Sequence, residues 1–161
     1  MSGGPRVWRA EPDEAGDVAR LLIAFRDWLE SSTPSEESLR AAVDRLIVDS
    51  GTEYLLGAST EQGDASGVCQ LRFRESVWTS GLDCWIEDVY VRDDARGRGI
   101  GRELVRVACA RARERGARRI ELDTSESNAA AIALYKSLGF STSSKAHGKL
   151  DGRDLFMGRR L

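Results

Sequence analysis

The apolar positions of this chain change their spacing several times, and each change predicts an element. Val7 to Ala10 reads as a short strand. Pro12-Asp13-Glu14 then opens a helix, with acids suited to its positive end. Val18, Leu21, Leu22, Phe25 and Leu29 recur at helical spacing and predict its buried face. Ser31-Ser32-Thr33-Pro34 ends it. Ser35 to Asp49 predicts a second helix, with Ser35 as its cap and Leu39, Ala42, Val43, Leu46 and Ile47 on one face. Glu53–Ser59, Gly67–Thr79 and Leu82–Val91 read as strands, separated by turns at Glu61–Asp64 and Ser80-Gly81. A further helix buries Ile100, Leu104, Val105, Ala108 and Ala112 and stops at Gly116. Arg119–Asp123 is a strand and Asn128–Leu138 a helix, with Gly139-Phe140 just past its end. Lys149–Leu161 reads as two short strands around Asp151-Gly152. This order predicts one α/β domain over residues 1–161, a mixed, mostly antiparallel sheet flanked by helices.

The sharpest break in the pattern lies between the strand ending at Val91 and the helix after it. Arg96-Gly97-Arg98-Gly99-Ile100-Gly101 carries glycine at every second position, directly at a helix start. The first N–H groups of a helix have no intrahelical partner, and the helix dipole adds positive potential there. Glycines let a ligand approach that backbone with no Cβ in the way. Arg96, Arg98 and Arg102 add donors for phosphate oxygens. The pattern predicts an anion site of the phosphate class. It is neither the dinucleotide fingerprint, because Arg102 stands three residues after Gly99, nor a Walker loop, because no Gly-Lys-Ser/Thr follows.

Composition narrows the partner. A length of 161 residues fits one domain with a real core, and 41% hydrophobic with 31% charged residues is ordinary for a globular protein. A net charge of -2 argues against nucleic acid. No apolar run is long enough for a membrane span, and the N-terminus lacks a signal-peptide core. Cys69, Cys84 and Cys109 sit in apolar patterns and read as buried thiols, so the expected location is cytoplasmic. No cluster of residues has metal-ligand spacing, and no metal is expected.

Arg96-Gly97-Arg98-Gly99-Ile100-Gly101 resembles the Arg/Gln-x-x-Gly-x-Gly/Ala signature of the GNAT N-acetyltransferases. Asn128-Ala129-Ala130-Ala131-Ile132-Ala133-Leu134-Tyr135, with Leu138-Gly139-Phe140 after it, resembles that family's Asn-x-x-Ala-x-x-Leu-Tyr…Gly-Phe segment. The two motifs stand in the family's order, separated by a helix and a strand, and the resemblance is close from Leu82 to Phe140. It implies the acyl-CoA N-acyltransferase fold and transfer of an acetyl group from acetyl-CoA to a primary amine, by direct attack in a ternary complex. It also implies that the glycine loop, Arg96 to Arg102, holds the pyrophosphate. The backbone of Val89, Tyr90 and Val91 then pairs with the pantetheine amides, and Asn128 bonds coenzyme A. Tyr135 would protonate the departing thiolate.

Each of these residues also has a plainer reading. Tyr135 lies seven residues after Asn128, about two helical turns, so both share a face and Tyr135 equally suits a core position. Asn128 equally suits a helix cap. Strand alternation sets Glu87 on the face of Val89 and Val91, with Tyr90 on the other. Ile86-Glu87-Asp88 resembles the Leu-Glu-Asp segment of spermidine/spermine-type members, which makes Glu87 the candidate base; the alternative is a solvated charge that attracts a cation. Trp28, Glu30 and Trp85 are the candidate acceptor contacts, with Phe25 and Trp78 beside them. His147, the only histidine, reads as exposed in a turn. The expected acceptor is a small-molecule amine. The rivals are a protein N-terminus or lysine, and a non-catalytic acyl-CoA sensor. A homodimer is compatible with the resemblance and is not readable from the chain.

Overall fold

In the computed structural model the described residues are 3–142 and 154–161, with side chains omitted at 154–156. The final-strand reading at Lys149–Gly152 and the turn position of His147 lie outside them. The elements in chain order are β1 (Arg6–Arg9), α1 (Ala15–Trp28, entered through a 3-10 turn at Pro12–Glu14), α2 (Glu36–Leu46), β2 (Thr52–Ala58), β3 (Gly67–Ser76) and β4 (Gly81–Val91). A 3-10 turn at Asp93–Ala95 leads to α3 (Ile100–Glu114), then β5 (Arg119–Ser125), α4 (Ala129–Ser137) and β6 (Asp154–Arg160). The strands form one sheet in the order β1-β2-β3-β4-β5-β6. It is mostly antiparallel: β1 pairs β2 and β5 pairs β6 in that sense, while β4 pairs β5 in parallel. This is the expected α/β arrangement. No described helix is long and apolar enough to cross a membrane.

Two compact units are distinguished, residues Met1–Leu71 with Asp88–Ala108, and residues Arg72–Glu87 with Cys109–Leu161. In the first, the core joins Val18, Ala19, Leu21 and Ile23 of α1 to Leu39 and Val43 of α2, Tyr54 and Leu56 of β2, Val68 and Tyr90. Leu22 and Phe25 pack at its margin as the helical spacing predicts. Leu29 does not. It is 55% exposed, because α1 ends at Trp28 and Glu30 takes φ 57°, which turns the chain away one residue later. Helix α2 is shorter than predicted at its C-terminal end, and Ser35 caps it by accepting the Ser38 N–H at 3.1 Å.

The seat of α3 depends on two glycines that the sequence patterns do not single out. A Cβ on Gly57 of β2 would lie 2.8 Å from Ile100 Cγ2. One on Gly67, at the start of β3, would lie 2.8 Å from the same atom and 3.1 Å from Leu104 Cδ1. Ile100 and Leu104 are fully buried and cannot swing aside. The bare backbone at these positions therefore lets the first turn of α3 lie against the strands.

In the second unit β4 and β5 are in register at Asp83↔Arg119, Cys84↔Ile120 and Trp85↔Glu121. Buried Asp83 accepts from Thr79 Oγ1 at 2.7 Å and Arg119 Nη2 at 3.2 Å. Arg119 also pairs with buried Glu121, two residues along the same strand face. Strand β3 stops at Ser76, short of the predicted Thr79, so Val77 and Trp78 stand in the turn, and Trp78 is 89% exposed. All three cysteines are buried and free, as expected. Burial pushes the Cys109 thiol up, with Arg159 acting in the opposite sense.

Gly67→Ala is expected to destabilise the protein by about 1–3 kcal/mol, the usual cost of overpacking a filled site. Gly16→Ala is the control: its Cβ meets nothing within 4 Å, in an exposed first turn of α1, and should stabilise by about 0.5–1 kcal/mol. Urea unfolding reads both as opposite shifts in midpoint at constant slope.

Candidate active site

The loop between β4 and α3 is held at two buried points and exposed between them. Ala95 and Ile100 are buried, and Arg96 to Gly99 are exposed. Gly97 has φ 76° and Gly99 φ 84°, the left-handed region that L side chains avoid. The glycine requirement is conformational rather than steric. A Cβ on Gly97 would meet nothing within 4 Å, and one on Gly99 only Pro5 Cγ at 3.6 Å. Gly99 also accepts the first helical hydrogen bond, from Glu103 N at 3.0 Å. As the N-cap it offers no side-chain oxygen to the first-turn N–H groups of α3. Exposed left-handed glycines at a helix start are the kind of backbone that can offer N–H groups to an anion.

Acids stand around this loop, and the described ones are paired. Asp93 meets Arg96 Nη1 at 2.9 Å, Asp94 accepts from Arg92 Nε at 3.0 Å, and Glu103 accepts from Arg106 Nε at 2.9 Å. The hydrogen bond from Arg92 holds the Asp94 carboxyl below its ordinary range, and that from Arg106 does the same for Glu103. Arg98 and Arg102 are exposed. Arg96 turns the other way: its Nε donates to the Val91 carbonyl at 3.0 Å, and its guanidinium lies 5.0 Å from the Trp28 ring and 5.9 Å from the Tyr90 ring.

On β4 the alternation is as predicted. Tyr90 is buried in the core, and Val89 and Val91 are half-buried. Burial is the first cause that raises the Tyr90 phenol, followed by Asp93. Phe25 lies 5.1 Å from Tyr90 and stacks on Trp28 at 6.2 Å with only 12° between the planes. Trp28 is 46% exposed at the end of α1, and Glu30 beyond it is exposed. Arg26 ties down the segment that follows, donating from Nη1 to the Pro34 carbonyl at 2.9 Å.

In the other unit, Glu87 is exposed near the middle of β4 and Trp85 is half-buried two residues before it. Asn128 caps α4, its Oδ1 accepting the Ala131 N–H at 3.1 Å. Tyr135 is 9% exposed, with its ring 6.0 Å from Phe140. Gly139, at φ 90°, turns the chain so that the Phe140 N–H reaches the Tyr135 carbonyl at 3.0 Å. The plainer readings of Asn128 as cap and Tyr135 as a buried ring are therefore both realised, and neither excludes a chemical role. Gly57, Gly67 and the stack of Arg96 on Trp28 are the supports that sequence reasoning missed. An isolated strand glycine is a weak signal, and nothing in the sequence pairs residue 28 with residue 96.

Comparison with known proteins agrees with this geometry. Residues 22–140 match the acetyltransferase (GNAT) family. The thialysine N-epsilon-acetyltransferase of Sus scrofa is 32% identical over 149 residues, covering 88% of this chain and 87% of that protein. Streptothricin acetyltransferase of Streptomyces lavendulae is 41% identical over 92 residues, which is 57% of this chain and 45% of that protein. The crystal structure of a probable acetyltransferase superposes with a TM-score of 0.80 at 25% identity, over 87% of this chain and 92% of that one. With the family match spanning well over half of its length, and both signature segments inside that span, this chain belongs to the GNAT family and is an acetyltransferase.

Proposed function

We propose that the protein moves the acetyl group of acetyl-CoA to the primary amine of a small cationic molecule. The observation that carries the reading is the loop from Arg96 to Arg102: two left-handed glycines open to solvent at the start of α3. The family implies acetyl-CoA, and when bound it supplies the activated thioester. The N–H groups at the start of α3 bind its pyrophosphate, with Ile100 and Gly101 in that first turn. Arg98 and Arg102 stand beside it as exposed cations. The backbone of Val89, Tyr90 and Val91 offers amide partners to pantetheine, and Asn128 a side-chain amide to coenzyme A.

Two supports favour a cationic small molecule. Thialysine, streptothricin and aminoglycoside N(6′)-acetyltransferases are among the relatives. From Glu11 to Asp64 acids outnumber arginines by more than three to one, and this segment includes α1, α2 and the loop between them. Such a field draws cations. Trp28, Glu30 and Trp85 are the proposed acceptor contacts. The amine must lose a proton before it attacks; Glu87 accepts it, through water. Tyr135 gives a proton to the thiolate that leaves. Positioning and backbone N–H donors to the developing oxyanion supply the rest. None of these steps calls for a metal. The three buried free thiols suit a reducing compartment, and we place the protein in the cytoplasm.

Gly99→Ala forces a Cβ onto a left-handed residue, at a cost of about 1–2 kcal/mol to the loop conformation. Acetyl-CoA affinity measured by calorimetry should fall about five- to thirtyfold, the equivalent of that strain, with the circular dichroism spectrum unchanged. Unaltered affinity in the folded variant removes the loop from the cofactor site.

Tyr135→Phe keeps the ring and its packing on Phe140 and deletes only the hydroxyl. Turnover should drop by about 10²–10⁴-fold with acetyl-CoA affinity nearly constant, as loss of a general acid requires. A loss of less than about threefold assigns the proton to water.

Glu87→Gln tests the base. Its kcat should fall most at neutral pH and recover toward the pKa of the amine, where solvent supplies the free base. A raised KM with an unshifted kcat profile makes Glu87 an attractor of cations instead. A panel of polyamines, amino acids, aminoglycosides and peptides identifies the acceptor. Turnover confined to peptides favours a protein substrate, and acetyl-CoA binding with no turnover favours a sensor.

A further inference from the structure

Four side chains in the first unit close a ring of contacts. Trp28 stacks on Phe25, Phe25 lies against Tyr90, and the Arg96 guanidinium sits over both Tyr90 and Trp28. The remaining contacts of Arg96 are to its own turn. Its Nε is given to the Val91 carbonyl and its Nη1 to Asp93. Both partners lie in the five residues that precede it, so the side chain staples the turn that delivers Gly97. An arginine has five donors in one rigid fork, and here Nε and Nη1 are both engaged within the turn itself.

We propose that Trp28 is a positioning residue for the phosphate-binding loop, acting through Arg96. This rests on the loop reading given above. Trp28 is the outer wall of the stack and is itself held by Phe25, which is packed at the margin of the core. With that wall in place the guanidinium stays on the strand end and the loop enters α3 in one conformation. Without it, Arg96 is free to swing into solvent, and the backbone before Gly97 loses its staple. Loop order is then lost in the free protein and must be recovered on binding. The cofactor loop thus depends on the last turn of α1, the same turn that leads into the segment proposed to meet the acceptor.

Calorimetric titration of acetyl-CoA, with no acceptor present, into wild type, Trp28→Leu, Trp28→Phe, Arg96→Met and the Trp28→Leu/Arg96→Met pair tests this. Trp28→Leu should weaken acetyl-CoA about two- to fivefold, the scale of a half-exposed cation–π contact. Trp28→Phe should restore most of the loss. Arg96→Met should weaken it about tenfold, and Trp28→Leu should add nothing in that background, because neighbours acting through one contact are not additive. Unchanged affinity in Trp28→Leu with a raised acceptor KM overturns the proposal and makes Trp28 an acceptor contact only. Full additivity overturns it as well. Urea unfolding of the same set without ligand measures the stack itself. Coupling there with none in the binding cycle overturns the positioning role and leaves the loop reading intact. Wild type that binds no acetyl-CoA defeats the loop reading directly.

Discussion

The first turn of α3 lies directly on the strands, and the proposed anion site depends on that contact. A helix N-terminus attracts phosphate only over a few ångströms, so its usefulness is set by how firmly it is placed. Here placement comes from Ile100 and Leu104 lying against bare backbone at Gly57 and Gly67. One added methyl group on either strand would meet Ile100 at 2.8 Å. The cost of such glycines is entropic and is borne by the unfolded chain. It is offset by burial of two large aliphatic side chains in the same place. Stability and site geometry are therefore the same contact seen twice: the loop is exposed and glycine-rich, yet it hangs between Ala95 and Ile100, both buried.

The loop also has to present positive potential in a segment that carries several acids. Asp93, Asp94 and Glu103 are each answered by an arginine two or three residues away. Such exposed pairs add little to stability, since solvent and salt screen them. Their effect is on the field. Each removes a negative charge that would oppose a phosphate, while Arg98 and Arg102 remain exposed beside the glycines. Arg96 shows that the division is not readable from composition alone. Three arginines flank the loop, and one of them is turned back onto Val91, Asp93, Tyr90 and Trp28.

What the sequence made legible was what is local or periodic. Helical spacing located α1 and its buried Val18 and Leu21, the alternation of β4 placed Tyr90 inside, and Ser35 and Asn128 cap the helices they precede. Leu29 failed because spacing continues on paper past the point where Glu30 turns the backbone, and one left-handed residue cancels a period. Val77 and Trp78 failed because apolar character was read as strand where the hairpin had already begun. The family was legible in its two signature segments, both inside the matched span. The supports of the loop were not, because the stack of Trp28 on Arg96 and the seat of Ile100 on Gly57 and Gly67 join distant positions, and only the fold brings them together.

Residues with two uses explain why the plainer readings never displaced the chemical ones. Asn128 caps α4 through Oδ1, which leaves the amide nitrogen of the same side chain for another partner. Tyr135 buries its ring beside Phe140, and a ring can be packed while its hydroxyl remains the reactive group. Burial fixes the ring, and a fixed ring holds its hydroxyl to within the tolerance that proton transfer requires. A mobile, fully exposed phenol at position 135 would have satisfied the sequence motif and been poorly placed for the proposed proton transfer. The same logic applies to Tyr90, whose buried ring anchors the strand while the backbone on either side of it is the part proposed to meet pantetheine. In the proposed site the core holds the reactive side chain still, and the backbone at its edge is left to bind.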